Sequence, residues 1–163
     1  MSQLSLMTAD VIQALESSVL CWLATVSEHG IPNVSPKEAF LYDGQGNILI
    51  AHIASPVSVR NIESTGKACA SFLDVFIQKG VKIDGSARVV EEGDVRFPDQ
   101  LKMLRERIGD RFPIKAIIEL QPTSVSEIIA PSYRLFPETE ERDMMRASLR
   151  SYRVEEIQRQ VES

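Results

Sequence analysis

Residues 30–62 read GIPNVSPKEAFLYDGQGNILIAHIASPVSVRNI, and their punctuation decides the class of fold. Ile31–Tyr42 reads as a strand, Asp43-Gly44-Gln45-Gly46 as the turn that closes it, and Asn47–Ile53 as another strand. Period-2 alternation puts Asn33, Ser35 and Lys37 on one face and Val34, Pro36 and Glu38 on the other. Pro32 and Pro36 are four apart, so both missing N–H groups fall on one strand edge. Either that edge is protected, or something other than a strand lies against it. Ser55-Pro56 then reads as a helix start, with Ser55 as cap and Pro56 in the first turn, where no N–H is needed. Gly66 ends this helix.

The rest of the chain continues in the same style. Thr8 can cap a first helix that carries Val11, Ile12 and Leu15 on one face. Val19–Val26 is an apolar strand ended by Glu28-His29-Gly30, so the first three strands form a meander. Lys67–Ile77 and Val81–Val90 are strands joined by Gln78-Lys79-Gly80. Asp99–Ile108 is an amphipathic helix with Leu101, Leu104 and Ile108 on one face. Ile114–Gln121 and Ser124–Ala130 are two last strands on either side of Pro122. From Glu138 the chain is charged and helical, with Val154, Ile157 and Val161 as a narrow stripe. About seven strands with short links make a mainly β, antiparallel, Greek-key-like sheet with three or four small helices. Closing it into a barrel would remove its exposed edges. One domain over 1–163 is expected, with its core at about 10–131 and a helical extension over 138–162.

Composition narrows the function by exclusion. The 163 residues carry 18 basic and 23 acidic side chains, a net charge of −5, two cysteines and two histidines. An acidic chain is a poor partner for nucleic acid, whose binding rests on clustered Lys and Arg. No apolar run approaches the roughly 20 residues of a membrane span, and the start, MSQLSLMTADVIQALESS, lacks the features of a secretory signal, so a cytoplasmic protein is expected. Cys21 and Cys69 stand apart and read as buried, inert thiols, and no close set of four Cys or His ligands exists for a structural zinc. His29 and His52 belong to no catalytic or metal motif. Gly44-Gln45-Gly46 has Leu49 where a dinucleotide loop has its third glycine. Trp22 reads as a core anchor.

One constellation remains. The start of the Ser55-Pro56 helix offers free N–H groups and the positive end of the dipole, Ser58 adds a hydroxyl, and Arg60 adds a guanidinium suited to phosphate oxygens. Taken alone, the same residues make an ordinary capped helix with a solvated arginine. Beside a two-proline strand edge, they suit a flat heterocycle with a phosphate tail.

Gly30–Lys37, followed by Ala54–Ile62 and by Gly80-Val81-Lys82-Ile83-Asp84-Gly85-Ser86-Ala87, resembles the FMN-binding split-barrel family related to pyridoxamine 5'-phosphate oxidase. The likeness runs in element order over roughly residues 10 to 131. It implies that the strand matching Ser35-Pro36-Lys37 lies along the flavin ring, largely through backbone contacts, and that Ile53, Ala54 and Ser55 approach the ring. Ser58 and Arg60 match the phosphate positions, and Val59 stands where the oxidase often has a basic residue. Lys82 falls near a ring-contacting strand. The resemblance also implies a homodimer with FMN at the interface, an NADH or NADPH donor, and some site residues from the partner chain. Arg60→Ala would then weaken FMN binding by about 1–3 kcal/mol.

Two departures separate the chain from a true pyridoxamine 5'-phosphate oxidase. No histidine follows His52, so the substrate-holding Arg-x-His pair near the C-terminus is missing, and Phe40 stands where a substrate-site lysine is expected. The missing histidine also argues against relatives that ligate haem through one near the C-terminus. The expected function is an FMN-dependent oxidoreductase of unknown substrate. A non-catalytic flavin sensor or store, and a barrel for haem or a deazaflavin, are the alternatives.

Overall fold

In the computed structural model, which describes residues 6–162, the run from Ile31 to Tyr42 is two strands rather than one. The amino-terminal residues 1–5, part of the stretch read against a secretory signal, lie outside the described residues. After helix α1 (Ala9–Ser17) come β1 (Cys21–Val26), β2 (Pro32–Lys37), β3 (Phe40–Tyr42), β4 (Ile48–His52), helix α2 (Pro56–Thr65), β5 (Lys67–Asp74) and β6 (Lys79–Glu91). Helix α3 (Phe97–Ile108), β7 (Ala116–Ile129) and helices α4 (Pro131–Leu135), α5 (Glu141–Ser151) and α6 (Val154–Val161) complete the chain. All strand pairings are antiparallel, in the order β2-β1-β5-β6-β7-β4-β3.

The expected meander is therefore corrected: β2 and β3 are the two opposite edges of the sheet. The cause is a slip in phase. Lys37 faces the core side, and so does Phe40 three residues later, which unbroken alternation cannot give. The chain turns at Glu38-Ala39 instead. The three Cα steps from Lys37 to Phe40 reach about 11 Å at most, so the sheet must curl until its edges nearly meet. It remains an open, split barrel, because β2 and β3 do not pair.

Two apolar cores follow from the two faces. Inside the barrel, Leu15 of α1, Leu23, Phe40, Phe72, Ile83 and Ile118 are all but inaccessible, and the Phe40 and Phe72 rings meet edge-on with centroids 5.2 Å apart. Outside it, α3 lays Phe97 and Leu104 over Ala39, Leu41, Leu49 and Ile117. Full burial of one such side chain contributes about 1.5–3 kcal/mol.

The final pair of expected strands is also a single one. Proline in a sheet interior costs a ladder bond and is tolerated at bulges. Here Pro122 sits opposite Gly85, where the β6–β7 register shifts between Asp84 and Gly85, so β7 runs straight through it. The carboxy-terminal helices begin with a short one, α4, ahead of the charged stretch. They fasten to the β5–β6 turn through the Tyr133 hydroxyl, which donates to the Ile77 carbonyl at 2.8 Å, and the Lys79–Glu141 ion pair at 2.9 Å. Among the described residues, no helix is long and apolar enough to cross a membrane.

Candidate functional site

The phase of the β1–β2 ladder settles what the two prolines do. Ser27 donates its N–H to the Ile31 carbonyl at 2.9 Å, which makes that pair a hydrogen-bonded one. Counting by twos, the amides of Asn33, Ser35 and Lys37 face β1, and those of residues 32, 34 and 36 face outward. Both prolines thus spend their missing N–H groups on the free edge, which keeps three carbonyls and only the Val34 N–H. The edge is a protected one.

Along the other side of β2 runs a polar seam. Asn33 Nδ2 donates to Thr25 Oγ1 at 3.2 Å and to Ser58 Oγ at 3.3 Å, and Asn61 Nδ2 donates to the same Thr25 oxygen at 3.0 Å. The Ser35 and Ser58 hydroxyls are 3.0 Å apart. The Lys37 ammonium donates to the Ser55 hydroxyl, and the Ser55 N–H donates to His52 Nδ1 at 3.3 Å. Ser55 is the N-cap residue, but its hydroxyl serves Lys37 and makes no bond to its own helix. This seam holds α2 against β1 and β2 through groups that each have a partner.

Where β2 turns toward β3, a cavity of about 560 Å³ opens at the barrel split. Its walls are residues 35–39, Ala51, residues 53–55, and Ile108 and Phe112 at the end of α3. That volume lies within the roughly 300–1,000 Å³ of small-molecule sites, and a mostly apolar wall with a few polar groups suits them as well. Lys37 is 6 % exposed and makes no ion pair among the described residues. Burial pushes its pKa below the ordinary lysine value, with the Cys21 thiol as a weaker opposing influence. His52 is likewise held below its usual range, by burial first and then by Lys37 and Lys115.

Of the sequence-predicted site residues, Ser35, Pro36, Lys37, Ile53, Ala54 and Ser55 share this cavity. Ser58 is buried in the polar seam beside it. Arg60 lies elsewhere, in a surface depression with residues 27–29, Glu63 and Ser64. Positions two apart on a helix do not face each other, so Ser58 and Arg60 lie on different faces of α2. Val59 and Lys82 do not line the cavity either. Lys82 follows Pro36, Trp22 and Ser71 in a row across the opposite face of the sheet, 3.8 Å from the Asp84 carboxylate.

Trp22 is 48 % exposed on that face, which corrects its reading as a core anchor. β1 alternates, and Cys21 and Leu23 took the core side. The thiols also differ: Cys21 is fully buried, its pKa pushed up to about 12 by burial against a weaker opposing pull from Lys37, whereas Cys69 is only half-buried. Sequence reasoning passed over Phe112, whose loop carries no periodic signal, and the Thr25–Asn33–Asn61 seam. Alternation already put Asn33 on the face of Ser35 and Lys37, but its bonds to Thr25 and Ser58 carry no signal in the sequence.

The family model described as pyridoxamine 5'-phosphate oxidase matches residues 7–131. The chain belongs to the pyridoxamine 5'-phosphate oxidase family. The match covers the barrel and leaves α5 and α6 outside it. Solved structures with the same fold include HupZ of Group A Streptococcus, 20 % identical over 76 % of this chain and 98 % of that one, with a TM-score of 0.62. An FMN-binding protein from Syntrophomonas wolfei is 16 % identical over 77 % and 86 %, with a TM-score of 0.62. HutZ, the haem storage protein from Vibrio cholerae, is 19 % identical over 72 % and 89 %, with a TM-score of 0.60. No curated protein matches this member of the family closely in sequence. At such identities the likeness establishes the pyridoxamine 5'-phosphate oxidase fold, and the ligand has to be argued from the cavity.

Proposed function

We propose that the chain binds FMN in the cavity at the barrel split and works as an FMN-dependent oxidoreductase in the cytoplasm. One observation carries the reading: residues 35–37 and 53–55, far apart in sequence, form walls of a single cavity of suitable size. Bound FMN would supply the electron-transfer chemistry, with NADH or NADPH as the donor. The backbone of Ser35–Lys37 and the Ser35 hydroxyl would orient the ring, and Ile53, Ala54, Ile108 and Phe112 would exclude water. Oxidation of pyridoxamine phosphate is not the activity proposed. Phe40, at the position of the substrate-site lysine, is locked in the barrel core, and the chain has no histidine beyond His52.

The test is the visible spectrum of the purified chain and its titration with FMN. A flavin spectrum, or saturable uptake of FMN, supports the reading. A colourless protein that takes up none overturns it, and a Soret band would transfer the cavity to haem. Oxidation of NADH or NADPH by the FMN-loaded protein separates an enzyme from a flavin store. In the same titration Arg60→Ala is expected to stay within twofold of the parent, because Arg60 is outside the cavity. A tenfold loss would move the phosphate to the outer side of α2.

We also propose a homodimer formed through the outer sheet face. Trp22, Val34 and Pro36 lie together there, and exposed aromatic residues of this kind anchor interfaces. Trp22→Glu is expected to convert a dimer of about twice the chain mass into a monomer in light scattering, with the barrel still folded. A variant that remains dimeric places the interface elsewhere.

A further inference from the structure

Lys37 is unusual in this chain. It is the one lysine or arginine among the described residues that is buried, and a buried ammonium is normally met by a carboxylate. Here the ammonium's only hydrogen bond among the described residues goes to the Ser55 hydroxyl. Its stem runs on the core side of β2 in register with Cys21, and its charge is felt by the Cys21 thiol and by His52. Glu38 contributes to the cavity wall but lies beyond ion-pair distance. The rest of the wall is largely apolar, so the local dielectric is low and an unbalanced charge acts strongly within it. The ammonium also keeps unused donors, since it has three.

A lone cation in an apolar cavity calls for one negative charge from whatever enters. A phosphate monoester carries nearly two, and is ordinarily met by several donors at once. The flavin ring has the matching count. Two electrons and one proton add one net negative charge to a ring that is neutral when oxidised. We propose that Lys37 balances this charge and so sets the reduction potential of the bound flavin. The inference rests on the FMN reading and deepens it. It assigns Lys37 to the ring rather than to the phosphate, and to the reduced state more than to the oxidised one. Charge placed near the ring is one of the levers by which a protein tunes this cofactor.

The measurement compares the parent with Lys37→Met and Lys37→Gln, which remove the charge, and with Lys37→Arg, which keeps it. Each is titrated with oxidised FMN and with riboflavin, which has the ring but no phosphate. The midpoint potential of the FMN-loaded protein is then read during reductive titration with dithionite. Loss of charge is expected to weaken binding of the reduced ring at least tenfold relative to the oxidised ring, a fall of about 30 mV or more in midpoint potential. FMN and riboflavin should lose affinity in parallel, and Lys37→Arg should stay near the parent value. Thermal melts show which charge-removing variant is folded, and Lys37→Gln keeps a hydrogen-bonding group for Ser55 if methionine is not tolerated. An unchanged potential in either folded variant overturns the proposal, as does a loss confined to FMN, which would give Lys37 to the phosphate. A parent protein that takes up no FMN overturns the functional reading itself, and the inference falls with it.

Discussion

Alanine at Gly80 is expected to cost the fold about 3 kcal/mol or more, at or above the upper end of what over-packing usually costs. A Cβ on Gly80 would lie 2.0 Å from the Phe72 carbonyl oxygen and 2.9 Å from Leu73 Cα. Both are backbone atoms of β5, so no side chain can swing aside to make room. β6 is held on its other flank by β7, through the pairing of Gly80 with Ile128, and cannot simply shift away. Phe72 also belongs to the barrel core, so moving its backbone disturbs the packing against Phe40. Urea unfolding measures the loss directly. Gly93→Ala is the control: a Cβ there meets nothing within 4 Å, and the change should be close to neutral. A Gly80→Ala protein within 1 kcal/mol of the parent would mean that β5 and β6 do not approach as described.

The second large effect concerns binding. Ala54→Trp is expected to weaken FMN at least a hundredfold, about 2.8 kcal/mol at 1.4 kcal/mol per factor of ten. Ala54 lies between β4 and α2 and forms part of the cavity wall, so an indole there occupies volume the ligand needs. The position is exposed and in irregular chain, so the melting temperature should hardly change. FMN binding that survives this substitution would show that the ligand lies elsewhere, with the 550 Å³ depression beside Cys69 and Asp84 as the next place to look.

The sequence carried the local elements well, and for identifiable reasons. Thr8 caps α1 as read, accepting the Val11 N–H, and Gly66 ends α2 in the left-handed conformation that favours glycine. What it did not carry was the path between elements. The break at Glu38-Ala39 depends on a one-residue change of phase, and an alternating pattern read in one pass slides over it. The continuity of β7 through Pro122 depends on a bulge beside it, where Thr123 is left without a partner on β6, and a proline next to an apolar run reads locally as a break. At the site, the alternation on β2 grouped Ser35 with Lys37 correctly. Arg60 suits phosphate by its side chain, but its helical position places it in a different depression from the cavity, which side-chain chemistry alone does not reveal. Trp22 misled for the opposite reason: its size suggests a core, but its place in the alternation puts it outside.

The two-residue passage from β2 to β3 has a consequence for how ligand and fold depend on each other. The sheet's hydrogen bonds stop at that seam, and the cavity lies across it, with walls from β2 on one side and from β4 and the following loop on the other. A molecule held there acts as a clasp between edges that the backbone leaves unjoined. Since the unfolded chain has no such walls, each tenfold rise in free ligand above its dissociation constant adds about 1.4 kcal/mol to stability. Resistance to heat and to proteolysis would therefore follow how much cofactor the cell supplies, and the barrel would be most vulnerable before it is filled.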